Sequence, residues 1–419
     1  MEAALVPAPS EAPRAAPSLA ARSRGGYRLL LATPIPVWPH GAGWAAPDLW
    51  VRDLEGQRRV VDELCVLAPL GAGEARGLRP VPDGIRVVPL PEVDAEPSLR
   101  ALVRAFDVVQ VGSGMPRHDA RPMLRVARAA AETGRCLVTA VTSNRVRTTL
   151  LNAAGRGWAT RARARLTARS IRGVQEQLVD AADGVMLIGP GLRGLVRRPG
   201  ANVHVGLASW LTDEDVVGDE ALAERARRAA TSPGLALCVA SRLERMKGVH
   251  LAIEAAAILA RQRPGGTRLT VLGEGPERPA LEWLAATRGL QADVRFAGTL
   301  GYPEPFLREL RSHDLLLLTN LNDEQPRVVF DALSQGVPVV HPDSPPFASL
   351  GLDPRGRYRV GSAHSLADAV AAFEGPARTL AAMRESRELA RTRTVHRMHE
   401  ARAAWIRTTL DRHRSAPRS

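Results

Sequence analysis

The sequence predicts an α/β protein of two tandem Rossmann-like domains followed by a helical tail. Short, continuous apolar runs alternate with longer stretches of helical periodicity from residue 27 onward. This alternation is typical of parallel strands that helices cover on both faces. The polar, acidic segment 213–233 divides the alternating strand and helix patterns into two series. A chain of 419 residues is also too long for one ordinary domain.

The first series predicts a domain within residues 27–212. Strands are expected at 28–33, 63–67, 84–88, 107–112, 136–141 and 184–188, with a weaker seventh at 203–206. Helices are expected at 99–105, 122–133 and 160–182. The preceding segment 1–26 is rich in Ala, Pro, Ser and Arg and lacks the compact apolar core of a secretory signal, so we expect a disordered lead-in.

The second series predicts a domain within residues 234–375, after a linker at 213–233. Strands are expected at 235–240, 268–272, 294–297, 314–319, 337–341 and 358–360. Helices are expected at 248–261, 279–288, 305–311, 327–334 and 365–373. Segment 376–419 is rich in arginine and predicted to be a helical tail.

Composition narrows the class of protein. The three cysteines lie far apart in apolar runs, which favours buried free thiols in a reducing compartment over a disulfide or a metal site. The net charge of +13 fits either a solvated basic surface or attraction to anionic substrates or an anionic membrane face. Aromatic residues make up only 4% of the chain, which argues against a nucleic-acid-binding protein.

The connection between the strand at 235–240 and the next helix carries three cations, Arg242, Arg245 and Lys247. Lys247 is the only lysine among 57 basic residues, which suggests that this position needs a compact ammonium. Cations are unfavourable at a helix N-terminus unless an anion lies between them and the free amides. The pattern therefore favours a phosphate site, and a chance basic loop is the alternative.

A second polar loop follows the strand at 314–319. Asp323 and Asp331 have seven residues between them, and Pro326 suits the first position of a helix. Both carboxylates can then face the crevice at the carboxyl ends of the strands, where open α/β sheets bind ligands. The alternative is that Asp323 or Glu324 caps the helix and Asp331 is solvated.

Residues 234–375 resemble the C-terminal domain of the GT-B glycosyltransferases of family 4, a large retaining group. The resemblance rests on five motifs in order: Ser241-Arg242-Leu243 with Lys247-Gly248, Gly273-Glu274-Gly275-Pro276, Phe296-Ala297-Gly298, the pair Asp323 and Asp331, and Gly336-Val337-Pro338-Val339-Val340. Two departures stand out. The family has glutamates where this chain has Asp323 and Asp331, and a glycine pair where it has Pro345-Pro346.

The resemblance implies a site for a nucleoside diphosphate sugar, used as a co-substrate, with no other cofactor. Arg242 and Lys247 would bind the diphosphate and stabilise the departing nucleoside diphosphate without a metal. Asp323 would contact the sugar, with Glu324 as a partial substitute, and Asp331 would contact the ribose. The turn with Gly273 and Gly275 would line the donor site.

The resemblance is looser in the first half of the chain. Gly41 and Gly43 follow the first strand, where the family has a glycine-rich loop that approaches the donor phosphates. The helix near 157–173 carries five arginines and is either a membrane-binding segment or a solvated basic face. In the GT-B fold, the tail packs back over the first domain.

The expected activity is transfer of the sugar, with retention of configuration, to a glycan or glycolipid acceptor. The expected location is the cytoplasm, with peripheral binding at the inner membrane face as an option. A catalytically silent GT-B homologue that serves as a partner subunit is the main alternative.

Overall fold

The computed structural model describes residues 26–416, except residues 74, 76, 233, 263–265 and 323. The predicted lead-in 1–26 therefore lies outside the described residues apart from Gly26, and Asp323 lies outside them as well. Two parallel sheets with helices around them confirm the predicted α/β class and its two Rossmann-like units. The helical tail is also present.

The described residues of the first half of the chain form ten strands. In chain order they are β1 Arg28–Ala32, β2 Trp38–His40, β3 Gly43–Pro47, β4 Glu63–Ala68, β5 Leu78–Pro80, β6 Ile85–Pro89, β7 Val108–Gly112, β8 Cys136–Val141, β9 Gly184–Ile188 and β10 Val203–Gly206. Seven of them form a parallel sheet in the order β10-β9-β8-β7-β1-β4-β6, so the weak seventh strand is confirmed. β2, β3 and β5 form a small antiparallel sheet that the sequence pattern did not predict, because its strands are short and interrupted by proline.

Five α-helices accompany these strands in the described residues. They are α1 Asp48–Arg58, α2 Glu96–Arg104, α3 Arg117–Glu132, α4 Arg145–Ala153 and α5 Trp158–Ala181. Apolar side chains of the sheet are buried on both faces, in two separate core clusters. Burial on both faces explains why the strands have continuous rather than alternating apolar patterns. The helix α4 was not predicted from the sequence.

The second half contains six strands in one parallel sheet. They are β11 Leu235–Ala240, β12 Thr267–Leu272, β13 Val294–Gly298, β14 Leu315–Leu317, β15 Val339–Pro342 and β16 Arg357–Tyr358. Their order is β13-β12-β11-β14-β15-β16. The associated helices are α6 Asp219–Thr231, α7 Val249–Gln262, α8 Arg278–Thr287, α9 Glu304–Arg311, α10 Val328–Ser334, α11 Pro345–Ala348 and α12 Ala363–Ala377. The segment predicted as a linker thus contains the helix α6.

The tail forms two helices with different partners, α13 Leu380–Arg391 and α14 Val395–Ser415. α13 packs on α10 and α6 of the second domain, whereas α14 packs on α1, β8 and β10 of the first. Ile406 and Leu410 of α14 are buried in a core of the first domain. The chain therefore crosses between the domains twice, once after β10 and once between α13 and α14.

One composition-based expectation can be compared with the structure. Cys65, Cys136 and Cys238 are free and buried, as expected. Among the described helices, none is both long and apolar enough to cross a bilayer.

Candidate functional site

The loop between β11 and α7 packs against the loop that follows β14. A single 3-10 turn, Arg245–Lys247, leads into Gly248 (φ 65°), after which α7 begins. A Cβ built at Gly248 would lie 2.2 Å from the carbonyl oxygen of Thr319. The Thr319 hydroxyl donates to the Lys247 carbonyl at 2.7 Å. Because only glycine tolerates this approach and this φ, Gly248 allows the two candidate loops to meet.

Gly273 and Gly275 lie in the turn after β12, which packs directly on the same connection. A Cβ at Gly273 would lie 2.0 Å from the Ser241 carbonyl oxygen, and one at Gly275 would lie 2.5 Å from that of Leu243. The backbone amide of Leu243 donates to the carbonyl of Glu274 at 2.8 Å. These glycines therefore shape the Arg242 loop through close backbone packing.

Gly41 and Gly43 lie in the exposed hairpin that joins β2 and β3. A Cβ at Gly41 would meet nothing within 4 Å, and one at Gly43 would meet only the His40 carbonyl oxygen at 3.9 Å. Gly41 has φ 57°, so its role in the described structure is to permit the hairpin turn. Unlike Gly273 and Gly275, these two glycines do not pack against the Arg242–Lys247 connection.

Lys247 and Glu324 form the central ion pair of the candidate site. The Nζ atom of Lys247 lies 3.2 Å from Oε2 of Glu324, and their side chains are 13% and 15% exposed. The other carboxylate oxygen of Glu324 accepts a hydrogen bond from the hydroxyl of Thr148 at 3.1 Å. Thr148 lies on α4 in the first domain, so Glu324 joins the two domains. Glu324 does not cap α10, whose N-terminus has no side-chain cap.

Arg242 is paired in a similar way, but at the surface. Its side chain is 68% exposed, and Nη1 lies 3.0 Å from Oε1 of Glu244. The second oxygen of Glu244 accepts a hydrogen bond from the amide of Asn152 on α4 at 3.0 Å. The side-chain oxygen of Asn152 in turn accepts a hydrogen bond from the backbone amide of Met246 at 3.2 Å. Each candidate phosphate-binding cation therefore faces a carboxylate that α4 holds.

The helix α4 is the functional element that the sequence reasoning missed. Thr148 and Asn152 are four residues apart and lie on one face of the helix. Arg147 adds a hydrogen bond of 3.1 Å to the carbonyl of Leu321. One signal in the sequence could have indicated this helix: a short run of polar residues directly after the apolar run at 136–141. Residues in that position lie at the carboxyl end of a strand, where open α/β sheets bind ligands.

Asp331 is buried at the domain interface rather than solvated. The hydroxyl of Tyr302 donates to its Oδ1 at 3.1 Å. Burial raises the pKa of Asp331 to about 7, and the nearby Asp215 adds to this, although Tyr302, Arg327 and Arg52 lower it. Burial therefore favours the protonated form of Asp331 more than it would for an exposed carboxyl.

Two cations approach the Asp331 region from different sides. Arg52 on α1 pairs with Asp215 at 2.6 Å, and its guanidinium lies 5.1 Å from the Tyr302 ring centre. Arg327 stacks on Trp210 at 3.9 Å. Because Arg52 belongs to the first domain and Asp331 to the second, this polar group also spans the interface.

A cavity of about 580 Å³ lies at the carboxyl edge of the first sheet. The polar residues that line it are Thr33, Ser113, Asp119, Thr142, Ser143 and Arg145. Arg145 is the first residue of α4. The same helix therefore borders this cavity at its beginning and contacts the Lys247 loop further along.

One group of side chains in the described residues has metal-ligand spacing. Ligand atoms of Cys136, Asp183 and His413 lie within 4.8 Å of one another. Burial raises the pKa of the Cys136 thiol to about 12, so the thiolate that binds metals is disfavoured. His413 already contacts Asp183 at 3.0 Å through Nδ1 and the Gly134 carbonyl at 3.2 Å through Nε2. This group is therefore accounted for by packing of α14.

Residues 223–374 match the family model described as "Glycosyl transferases group 1". The lipopolysaccharide core biosynthesis glycosyltransferase LpsE of Rhizobium meliloti is 36% identical over 94 residues, which are 22% of this chain and 25% of LpsE. The D-inositol 3-phosphate glycosyltransferase of Corynebacterium urealyticum is 29% identical over 179 residues, which are 40% and 42% of the two chains. The chain thus matches less than half the length of these relatives.

Solved structures share the whole two-domain arrangement. Anabaena Alr3699/HepE in complex with UDP superimposes with a TM-score of 0.61 at 17% identity, covering 91% of this chain and 100% of HepE. WaaG, a glycosyltransferase involved in lipopolysaccharide biosynthesis, superimposes with a TM-score of 0.59 at 16% identity, covering 89% and 98%. Residues 223–374 are therefore similar to the domain of the group 1 glycosyltransferases, and the chain has the two-domain GT-B fold.

Proposed function

We propose that this protein is a glycosyltransferase that moves a sugar from a nucleoside diphosphate donor to a glycan or lipid-linked acceptor. The observation that carries the proposal is the position of Lys247 and Arg242, on one connection at the carboxyl edge of the second sheet and against the first domain. Fixed cations at such an edge suit a diphosphate. The match of residues 223–374 to group 1 glycosyltransferases and the UDP complex of HepE support this choice.

The donor diphosphate would exchange partners with two carboxylates. Lys247 is neutralised by Glu324 and Arg242 by Glu244 in the described structure. A bound diphosphate would take the place of these carboxylates, and the two cations would then stabilise the charge of the leaving nucleoside diphosphate. We expect no metal at the phosphates for the same reason, and retention of configuration as in the family that the chain resembles.

The remaining roles follow the same proposal. Asp331 would bind the ribose and Asp323 the transferred sugar, with Glu324 nearby. The acceptor would enter the cavity of about 580 Å³ beside Arg145. Because α4 borders that cavity and contacts the Lys247 loop, it would align the acceptor with the donor.

The test is release of nucleoside diphosphate from a panel of sugar nucleotides, measured with and without a candidate acceptor and in the presence of a chelator. We expect Lys247→Ala to lower kcat/KM by about 100-fold or more, since it removes a preorganised charge. Asp323→Ala should also lose activity. The control is Arg268→Ala, which removes an exposed cation on β12. Unchanged turnover in Lys247→Ala would contradict the proposed site.

The silent-subunit alternative makes a different prediction. Isothermal titration calorimetry with UDP and GDP measures binding without requiring turnover. A wild-type chain that binds neither nucleoside diphosphate and releases none from any donor would favour the partner-subunit function.

We further propose that α5 binds an anionic membrane surface at the cytoplasmic face. Trp158 and Leu166 are 78% and 65% exposed. Five arginines of α5 are exposed and have no ion pair among the described residues: Arg161, Arg163, Arg165, Arg169 and Arg172. Exposed aromatic and aliphatic side chains beside several cations fit an anionic lipid surface.

Sedimentation with lipid vesicles distinguishes this proposal from a merely solvated basic face. We expect binding to vesicles with 30% anionic lipid but not to purely zwitterionic vesicles. Trp158→Ala combined with Arg165→Ala should weaken binding, whereas Trp283→Ala, which removes another exposed tryptophan, should not. Equal binding of both variants would contradict the role of α5.

A further inference from the structure

A second cavity, of about 390 Å³, lies between the two domains beside both chain crossings. Arg193 borders it from the first domain, in the 3-10 turn after β9. Arg393 and Arg397 border it from the second crossing and the start of α14. Gln325 closes it from the second domain, where its side-chain oxygen accepts from the backbone amide of Ala208 at 3.4 Å. The cavity therefore has walls from both domains and from the tail.

The charge of this cavity is positive and uncompensated. None of the described lining residues is acidic, and Arg193, Arg393 and Arg397 have no ion pair among the residues that the structure describes. The carboxylates near them in the chain have other partners. Glu388 pairs with Arg391 at 2.9 Å, and Glu400 pairs with His396 at 3.2 Å. Arg193 and Arg397 are exposed and Arg393 is half-buried, so an anion in this cavity would meet three guanidinium groups that have no counter-charge.

Two further observations favour an anionic ligand. The Nε atom of Arg393 is buried and has no hydrogen-bond acceptor, which is costly for a charged group. The 21-residue helix α14 begins at this cavity with no side-chain cap and no acidic residue in its first turn. The amide of Val395, the first of this helix, already donates to the Leu211 carbonyl at 2.7 Å, so it is the partial positive charge of the helix start that adds to the three arginines.

The arginine side chains and the start of α14 favour a phosphate group as the ligand of this cavity. Planar guanidinium groups and helix amides are suited to the tetrahedral oxygens of a phosphate. Burial lowers the pKa of His204, another lining residue, so this imidazole is neutral at neutral pH and offers hydrogen bonding rather than charge. The volume is in the range of about 300–1,000 Å³ that is usual for small-molecule sites.

We infer that this interdomain cavity binds a phosphate group, as free phosphate or on a small phosphorylated metabolite, at a site separate from the candidate donor site. Lys247 and Arg242 are not among its lining residues. The inference therefore does not depend on the proposed transfer activity.

Isothermal titration calorimetry on the whole chain tests the site, with inorganic phosphate in one arm and a hexose monophosphate in the other. We expect saturable binding in at least one arm, and tighter binding of the hexose monophosphate would identify the metabolite as the ligand. Arg193→Ala and Arg397→Ala should each weaken binding about tenfold, as loss of a charge-assisted hydrogen bond predicts. Arg384→Ala, which removes an exposed cation on α13, should bind like wild type.

Three results would overturn the inference. They are no binding by the wild type, equal binding by all arginine variants, and displacement of the phosphate by saturating UDP. Thermal unfolding of each variant shows whether a loss of binding reflects loss of the fold. Lys247→Ala should keep phosphate binding even if it loses nucleoside diphosphate binding, so this inference and the proposed function fail by different measurements.

Discussion

The ammonium group of Lys247 and the carboxylate of Glu324 lie 3.2 Å apart although the two residues are 77 positions apart in the chain. Each lies on a loop at the carboxyl end of a different strand of the second sheet. The Thr148 hydroxyl of the first domain binds the same carboxylate. In the described structure, an internal anion therefore pairs with the only lysine of the chain.

The first prediction concerns this internal anion. Glu324→Gln should raise the affinity for a nucleoside diphosphate about tenfold, because the variant leaves Lys247 without a counter-charge until the diphosphate binds. Titration calorimetry with UDP or GDP measures the change. The control Glu304→Gln removes an exposed charge on α9 and should leave the affinity unaltered.

The sugar nucleotide separates two roles of Glu324. If Glu324 also contacts the sugar, the gain should be smaller for the sugar nucleotide than for the nucleoside diphosphate. Weaker binding of both ligands in Glu324→Gln would show that the carboxylate does not compete with the diphosphate.

The second prediction concerns the hydrogen bond between the domains. Thr148→Val should lower kcat of sugar transfer with little change in nucleoside diphosphate affinity, because it releases α4 from Glu324 without removing a cation. The matched control is Thr149→Val, since the Thr149 hydroxyl donates only to the Arg145 carbonyl within the same helix. Equal kcat values for the two variants would rule out a positioning role for Thr148.

The third prediction concerns pH. Asp331 has a pKa of about 7 in the folded protein against 3.8 as its ordinary value. Between these values the folded chain binds more protons than the unfolded chain, so the free energy of unfolding falls as pH rises, by at most about 4 kcal/mol. Asp331→Asn should remove this component.

Urea unfolding of wild type and Asp331→Asn at pH 5 and pH 8 measures the effect. The variant should gain stability relative to wild type at pH 8 compared with pH 5. Asp368→Asn, at an exposed position on α12, should show no such difference. A pH-independent difference between wild type and Asp331→Asn would contradict the raised pKa.

The fourth prediction concerns Gly248. Gly248→Ala should destabilise the protein by more than about 2 kcal/mol, because a Cβ would collide with the Thr319 carbonyl as well as strain the backbone. The control is Gly289→Ala, which should cause backbone strain but no collision, since Gly289 has φ 73° and no atom lies within 4 Å of its Cβ position. Thermal or urea unfolding compares the two. Similar losses would mean that the approach of the two loops does not require glycine.

Much of the site's framework was readable from sequence, and its contacts were not. The order of Lys247, Gly273 and Asp331 along three strand-loop-helix units predicted that they share one edge of a sheet. The predicted turns at Gly248, Gly273 and Gly275 are also the places where two backbone segments approach too closely for a Cβ atom. The side chains that complete the arrangement, Thr148 and Asn152, have no local signal strong enough to distinguish them from an ordinary polar helix face.

Periodicity and composition determined the two α/β units, the buried thiols of Cys65, Cys136 and Cys238, and the helical tail, because strand and helix patterns are local properties of the chain. Tertiary structure alone decided that Glu324 neutralises Lys247 and that Asp331 is buried with a raised pKa. It also decided that Gly41 and Gly43 lie in an exposed hairpin. Ion pairing and desolvation depend on which distant segments meet, and the docking of α4 and α1 against the second domain sets those distances.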